Sequence, residues 1–97
     1  MEMQIKRTLV TVYLKSEDGI MDQFTTYINL EPFDAAKYYV GNVFTMWHDE
    51  KEYKLKCQRI RCDGVQEWKN GKWNGIQHPD AMAWYRLQGG SIVRTEW

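Results

Sequence analysis

The sequence has few of the features that mark several large classes of protein. Its 97 residues include two cysteines and two prolines, and 13 Lys and Arg balance 13 Asp and Glu to a formal net charge of zero. This balance argues against the general basic excess of many nucleic-acid-binding proteins, although it is compatible with a local basic patch. No apolar run approaches the roughly 18 residues of a membrane helix, and the first residues lack the apolar region of a signal peptide. We therefore expect one cytoplasmic domain over residues 1–97, without a membrane partner.

The two cysteines give little support to a disulfide or a metal centre. Cys57 and Cys62 lie in a segment that we expect to be extended, with Cα atoms about 16 Å apart. A disulfide needs less than about 7 Å between these atoms. Together with His48 and His78 the cysteines could supply four zinc ligands, but their spacing is unlike that of a zinc knuckle. We predict reduced thiols, no metal and no cofactor.

Motifs for catalysis are equally scarce. Neither serine lies in a Gly-x-Ser-x-Gly elbow, and no glycine-rich loop that could cradle a phosphate is present. Glu52-Tyr53-Lys54 and Glu67-Trp68-Lys69 each resemble part of a metal-dependent nuclease core. A three-residue pattern of this kind arises easily by chance in a chain with so many charges. We predict that the protein is not an enzyme and has no catalytic residues.

The N-terminal part of the chain predicts a hairpin followed by a helix. Residues 8–15 and 23–30 are rich in β-branched and aromatic side chains, and an acidic turn with a glycine joins them. Pro32 suits the first position of a helix, and apolar residues at helical spacing extend this helix to about residue 48. Gly41 weakens the helix by about 1 kcal/mol relative to alanine.

Strand character returns after the helix and dominates the rest of the chain. Residues 53–62 predict a strand that Asp63-Gly64 closes. The run Trp68-Lys69-Asn70-Gly71-Lys72-Trp73 predicts a type I′ hairpin, because Asn-Gly tolerates the positive φ of both central positions. Its register places the two tryptophans together on one face and the two lysines on the other.

The segment 79–88 carries two competing signals. Pro79 and Gly89 bound a possible short helix, whereas Trp84-Tyr85-Arg86-Leu87 followed by two glycines predicts a hairpin into residues 91–97. The balance slightly favours the hairpin. The predicted class is therefore α+β, with a mainly antiparallel sheet of about five or six strands. This sheet would pack on one amphipathic helix over residues 32–48.

Charge and aromatic residues are unevenly distributed along the chain. Residues 16–34 carry acidic side chains and no Lys or Arg, whereas residues 51–61 carry five cations against Glu52, and most tryptophans lie toward the C-terminus. Cations interleaved with aromatic rings suit a single-stranded nucleic acid, and exposed Trp and Tyr suit a protein partner. The alternative is that opposite charges pair within the molecule and that the aromatic rings form its core.

The stretch from Trp68 to Leu87 contains an Asn-Gly-x-Trp turn and a later Ala-x-Ala-Trp-Tyr-Arg-Leu sequence. It resembles the C-terminal ends of small uncharacterised phage-encoded proteins. The resemblance carries no catalytic residue. It implies a small accessory protein, or an inhibitor of a host or defence complex.

These observations lead to two main hypotheses of function. The first is a non-catalytic intracellular module that binds a protein partner. The second is a single-stranded nucleic-acid-binding protein that uses a basic strand and stacking by Trp and Tyr. A sugar or small-ligand site on the tryptophan hairpin is a lesser alternative. The predicted binding residues are Lys54, Lys56, Arg59, Arg61, Trp68, Lys69, Lys72, Trp73, Trp84 and Tyr85.

Overall fold

The fold is built around one strand of 19 residues. A computed structural model describes residues 5–96. Its elements are β1 (Ile5–Lys15), β2 (Met21–Ile28), α1 (Pro32–Tyr39), β3 (Val43–His48), β4 (Lys51–Lys69), β5 (Lys72–Ile76), β6 (Ala83–Gln88) and β7 (Ser91–Glu96). The described strands form a single antiparallel sheet in which β4 is the central strand.

The two edges of β4 are used differently. One edge pairs with β1, and β2 lies beyond β1. The other edge pairs in turn with β3, then with β6, and finally with β5, while β7 lies beyond β6. The strand β5 turns back along the end of β4, and the chain then crosses to place β6 against the middle of β4. Three short strands thus share the edge of one long strand.

Two bulges divide β4 into the sections that these partners occupy. The register against β1 shifts twice, which leaves Gln58 and Asp63 in β4 without a partner in β1. A bulge adds one residue to one strand and therefore reverses the face that the following side chains take. As a result, Lys54 and Lys56 before the first bulge lie on the same face as Arg59 after it.

One face of the sheet packs against α1 and forms the core. Pro32 begins the helix, and the small side chains of Ala35 and Ala36 are fully buried where the helix meets the sheet. The core cluster comprises Val10, Val12, Leu14, Ala35, Ala36, Tyr39, Val40, Leu55, Cys57, Ile60, Cys62, Ala83 and Tyr85. We call the opposite side of the sheet, where the described chain places no helix, the open face.

The predicted hairpins are confirmed. Strands β1 and β2 pair as an antiparallel hairpin, and β6 and β7 form the hairpin favoured for the ambiguous segment. Asn70 and Gly71 adopt φ angles of 54° and 75°, as a type I′ turn requires. Trp68 pairs with Trp73, and their ring centroids are 5.4 Å apart in an edge-to-face arrangement. Trp97, at the end of the predicted last strand, lies outside the described residues.

The expected helix over residues 32–48 is wrong in its second half. The helix ends at Tyr39, and Val43–His48 forms β3 instead. Gly41 has a φ of 84°, which breaks the helical path, and the β-branched and aromatic residues beyond it pair with the start of β4. Among residues 5–96, no helix combines the length and the apolar character needed to cross a bilayer.

Two further expectations need correction. The strand predicted to close at Asp63-Gly64 continues to Lys69, because these two residues form a bulge rather than a turn. The described part of the chain contains seven strands, more than the five or six expected. Both differences follow from β3 and from the continuation of β4, so the mainly antiparallel class with one short helix is retained.

Candidate functional site

The open face gathers a large share of the basic side chains. Strand register assigns to it Arg7, Lys15, Lys54, Lys56, Arg59, Arg61 and Arg86. Among the strand residues that the structure describes, the acidic side chains on this face are Glu52 and Asp63. The helix side carries Glu31 and Asp34. The molecule therefore has an excess of positive charge on one side of its sheet, although its formal charge is zero.

A first cluster of arginine and aromatic rings lies at the centre of the open face. The Cζ atom of Arg59 is 4.9 Å from the ring centroid of Tyr13 and 4.6 Å from that of Trp84. The two rings are themselves 5.5 Å apart. Arg61 approaches the same indole, with its Cζ atom 5.5 Å from the centroid. Such cation–π contacts hold a guanidinium group in place without neutralising its charge.

The bulge residue Asp63 fixes the position of Arg61. Its Oδ1 atom accepts a hydrogen bond from Arg61 Nε at 2.7 Å, and its Oδ2 atom accepts one from the hydroxyl of Thr11 at 3.1 Å. The Thr11 hydroxyl lies 3.0 Å from that of Thr25 on the neighbouring strand. The Asp63 carboxylate is therefore hydrogen-bonded within the sheet. Among the described residues it forms an ion pair with Arg61 and none with Arg59.

A second cluster repeats this arrangement at one end of the face. The Cζ atom of Arg7 lies 3.9 Å from the ring centroid of Tyr27 and 4.0 Å from that of Trp73. Its Nε atom donates to Gln66 Oε1 at 2.8 Å. Trp73 continues the row to Trp68. Guanidinium groups and aromatic rings thus alternate across the face.

Like charges lie directly opposite each other at two places on the open face. Arg59 of β4 pairs with Arg86 of β6, and Lys15 of β1 pairs with Lys56 of β4. Directly opposed like charges destabilise a sheet. An anion placed between two such side chains would reduce their repulsion.

The lysine end of the face is less strongly positive than the arginine clusters. The acidic turn residues Glu17 and Asp18 line the same small cavity as Lys54 and Lys56. The acidic and basic segments therefore lie near each other at this end of the face. The candidate site is centred on the two arginine–aromatic clusters.

The predicted binding residues divide into three groups. Those on the open face are Lys54, Lys56, Arg59, Arg61, Trp68, Trp73 and Trp84. Lys69 and Lys72 lie on the opposite side of their hairpin. Tyr85 is fully buried, and its hydroxyl donates to the backbone oxygen of Asp80 at 2.7 Å, so it belongs to the core.

Sequence reasoning missed four members of the site. Arg7 and Tyr13 come from β1, Tyr27 comes from β2, and Arg86 comes from β6. Arg7 and Tyr13 alternate with the buried side chains of Thr8, Val10, Val12 and Leu14. The period-2 alternation of β1 was therefore a usable signal for these two residues.

The described candidates for catalysis and metal binding are two buried cysteines and His78. Burial raises the pKa of Cys57 to about 11 and that of Cys62 to about 12, and both are free thiols that stay protonated at neutral pH. His78 Nε2 lies 3.8 Å from Glu31 Oε1, and the side chain of His48 lies outside the described part of the structure. Within residues 5–96, no three His, Cys, Asp or Glu side chains are grouped to hold a metal ion.

What the open face offers chemically is a set of fixed cations beside aromatic rings. Comparisons with protein-family models, with curated proteins and with solved structures gave no match to this chain. The geometry of this face is therefore the basis on which a function is proposed.

Proposed function

We propose that the protein binds single-stranded nucleic acid on its open face. The observation that carries this proposal is the strand register, which collects the cations and the arginine–aromatic clusters on one side of the sheet. A single strand offers phosphates to the cations and unstacked bases to the rings. A double helix would offer phosphates but would leave the rings without partners.

The arrangement of Arg59 supports this choice over a general anion site. Its guanidinium group is held against Tyr13 and Trp84 and lies opposite Arg86. A phosphate between the two arginines would reduce their repulsion, while an adjacent base could stack on the exposed part of Trp84. Both parts of a nucleotide would thus be recognised within one cluster.

The proposal assigns no reaction to the protein. Both thiols are buried and protonated, and free cysteines persist in reducing compartments. An intracellular location is therefore part of the proposal, because single-stranded nucleic acids are also found there.

The experiment is a titration of a labelled oligothymidine by fluorescence anisotropy over a range of salt concentrations. Binding through phosphates lowers log affinity linearly with log salt, with a slope of about −0.7 for each phosphate neutralised on a single strand. The Arg59→Gln/Arg86→Gln variant should make this slope shallower by about 1.4 for two lost contacts. It should also weaken binding.

A matched control exists on the other side of the sheet. The Lys69→Gln/Lys72→Gln variant removes the same charge from residues that lie off the open face. It should leave the slope nearly unchanged. Equal effects of the two variants, or no measurable binding by the wild type near physiological salt, would contradict the proposal.

A protein partner is a second candidate, and one observation favours it. Trp47 and Val43 of β3 are 71% and 59% exposed. Val43 pairs with Lys56, which lies opposite Lys15 at the end of β1, and Trp47 lies farther along, where β3 and the start of β4 extend past β1. Exposed tryptophan is a frequent anchor of protein interfaces, and its truncation at a hot spot costs about 2 kcal/mol or more.

The second candidate is tested by affinity capture from a nuclease-treated extract of the native host. Loss of a captured protein with Trp47→Ala, together with its retention by Arg59→Gln/Arg86→Gln, would favour the protein partner. Such a partner would agree with the host or defence complex that the phage resemblance implies. The reverse pattern would favour the nucleic acid.

A further inference from the structure

A cavity of about 950 Å³ opens on the open face beside the Arg7 cluster. It lies where the edge of β4 passes from β5 to β6, and residues 77–82 form one of its walls. Leu9 and Tyr27 line the side toward β1 and β2. Its volume is at the upper end of the roughly 300–1,000 Å³ of small-molecule sites. The cavity is therefore large enough to receive a planar group the size of a nucleobase.

Two strand glycines form part of the lining of this cavity. Gly64 and Gly75 have no positive φ, and a Cβ atom on either would meet no other atom within 4 Å. Neither backbone conformation nor packing within the protein therefore requires glycine at these positions. Glycine inside a strand is unfavourable, and it often marks a bulge or the close approach of a ligand. Gly64 adjoins the bulge at Asp63, but Gly75 has no bulge to explain it.

The polar side chains that line the cavity are Asp63, Gln66, Gln77 and His78, and that of Gln66 is held in a defined orientation. Gln66 lines the cavity, and its Oε1 atom accepts from Arg7 Nε at 2.8 Å. Because a guanidinium group can only donate, the amide oxygen of Gln66 must face Arg7. The amide nitrogen is thereby left to donate to an acceptor on a ligand.

We infer that this cavity receives one base of the bound strand, and this inference rests on the proposed function. The base would lie over Gly64 and Gly75, with Tyr27 beside it and the Gln66 amide donating to one of its ring or carbonyl acceptors. The adjacent phosphate would lie near Arg7. Residues 77–82 would enclose the base from the opposite side.

The experiment compares an oligothymidine with an abasic oligomer of the same length and the same phosphates. The wild type should bind the oligothymidine more tightly by about fivefold to a hundredfold, as base stacking predicts. Gly75→Val places a branched side chain where the base would lie, its Cβ atom meeting no other atom within 4 Å, and should reduce this ratio. It should leave the affinity for the abasic oligomer unchanged.

Two further variants keep the test decisive. Gly64→Val places the same side chain in the cavity from β4 and should act like Gly75→Val, so the inference does not depend on one variant being folded. Thr95→Val exchanges a hydroxyl for a methyl group on β7, on the open face but outside the cavity, and should leave the ratio unchanged. Thermal unfolding checks that each variant is folded.

The possible outcomes separate the cavity from the face. A ratio that persists unchanged in both glycine variants would overturn the base site and leave the proposed function standing. Equal binding of the two oligomers by the wild type would overturn the base site and also the stacking of bases on the open face, and would leave only an anion site. Binding of neither oligomer would overturn both. A smaller ratio in the glycine variants, with unchanged binding of the abasic oligomer, would support both.

Discussion

Replacement of Gly71 by valine tests how much the type I′ turn contributes to stability. Gly71 has a φ of 75°, and a Cβ atom at this position would meet no other atom within 4 Å. The effect of the substitution therefore comes from backbone conformation and not from a clash. Gly75, in the same hairpin, offers a matched control, because it also has open space around it but lacks a positive φ.

The magnitude follows from the conformations of the two glycines. An L residue in the left-handed region costs about 1–2 kcal/mol, and β-branching makes this conformation still less favourable. The reduced freedom of the unfolded chain offsets about 0.4–1 kcal/mol of the loss. A net destabilisation of about 1 kcal/mol should lower the Tm by about 4–8 °C for a domain of this size. Gly75→Val should keep the Tm or raise it slightly, because valine favours strands.

The measurement is thermal unfolding of both variants and the wild type, followed by circular dichroism. The edge-to-face pair of Trp68 and Trp73 should give an exciton signal that reports on the hairpin itself. Gly71→Val should weaken this signal, whereas Gly75→Val should preserve it. Equal melting temperatures of the two variants, with equal exciton signals, would refute the assignment of the turn.

Three other predictions concern the core. Thr8 is buried, and its hydroxyl donates to the Leu30 backbone oxygen at 2.6 Å. Thr8→Val should therefore lower the free energy of unfolding in urea by about 1–2 kcal/mol, while Thr8→Ser should lower it less. Cys62→Ser should lower the free energy of unfolding by about 1–3 kcal/mol more than Cys57→Ser does. The reason is that the Cys57 thiol already donates to a backbone carbonyl, whereas in the described chain the buried Cys62 thiol has no such acceptor. Burial raises the pKa of both Tyr85 and Cys62 to about 12, so the folded state keeps protons that the unfolded state releases. Stability should therefore hold at neutral pH and fall as the pH rises from about 9 toward 12, and a urea midpoint that stays flat over this range would contradict it.

The hairpins were predictable because their signals are local. Asn70-Gly71 defines a turn type, and the alternation of β1 and β2 defines which side chains enter the core. The segment after Tyr39 was not predictable in this way. Phe44 and Met46 face the core as alternate residues of β3, yet their neighbours also fit a helical period. Pairing with the start of β4 decides between the two patterns, and this pairing is a tertiary interaction.

Four basic residues of the open face were predicted as binding residues, but the bulge that brings them to one face was not predicted. Strict alternation along β4 would place Lys54 and Lys56 on one face and Arg59 and Arg61 on the other. The bulge at Gln58 reverses the alternation and brings the four cations to one side. A bulge depends on the register between two distant strands, so no local pattern in the sequence reveals it.

The position of β4 between partners from both ends of the chain has a consequence for the rate of folding. The hairpins β1–β2, β3–β4, β4–β5 and β6–β7 join neighbouring segments, and isolated hairpins form in about 1–10 μs. The pairing of β1 with β4 instead brings Ile5 to Trp68 and closes a loop that contains the helix and two strands. Domains dominated by such distant contacts fold in about milliseconds to seconds. The docking of β1 on β4 is therefore expected to limit the rate, and mutations at this junction should slow refolding more than mutations within any one hairpin.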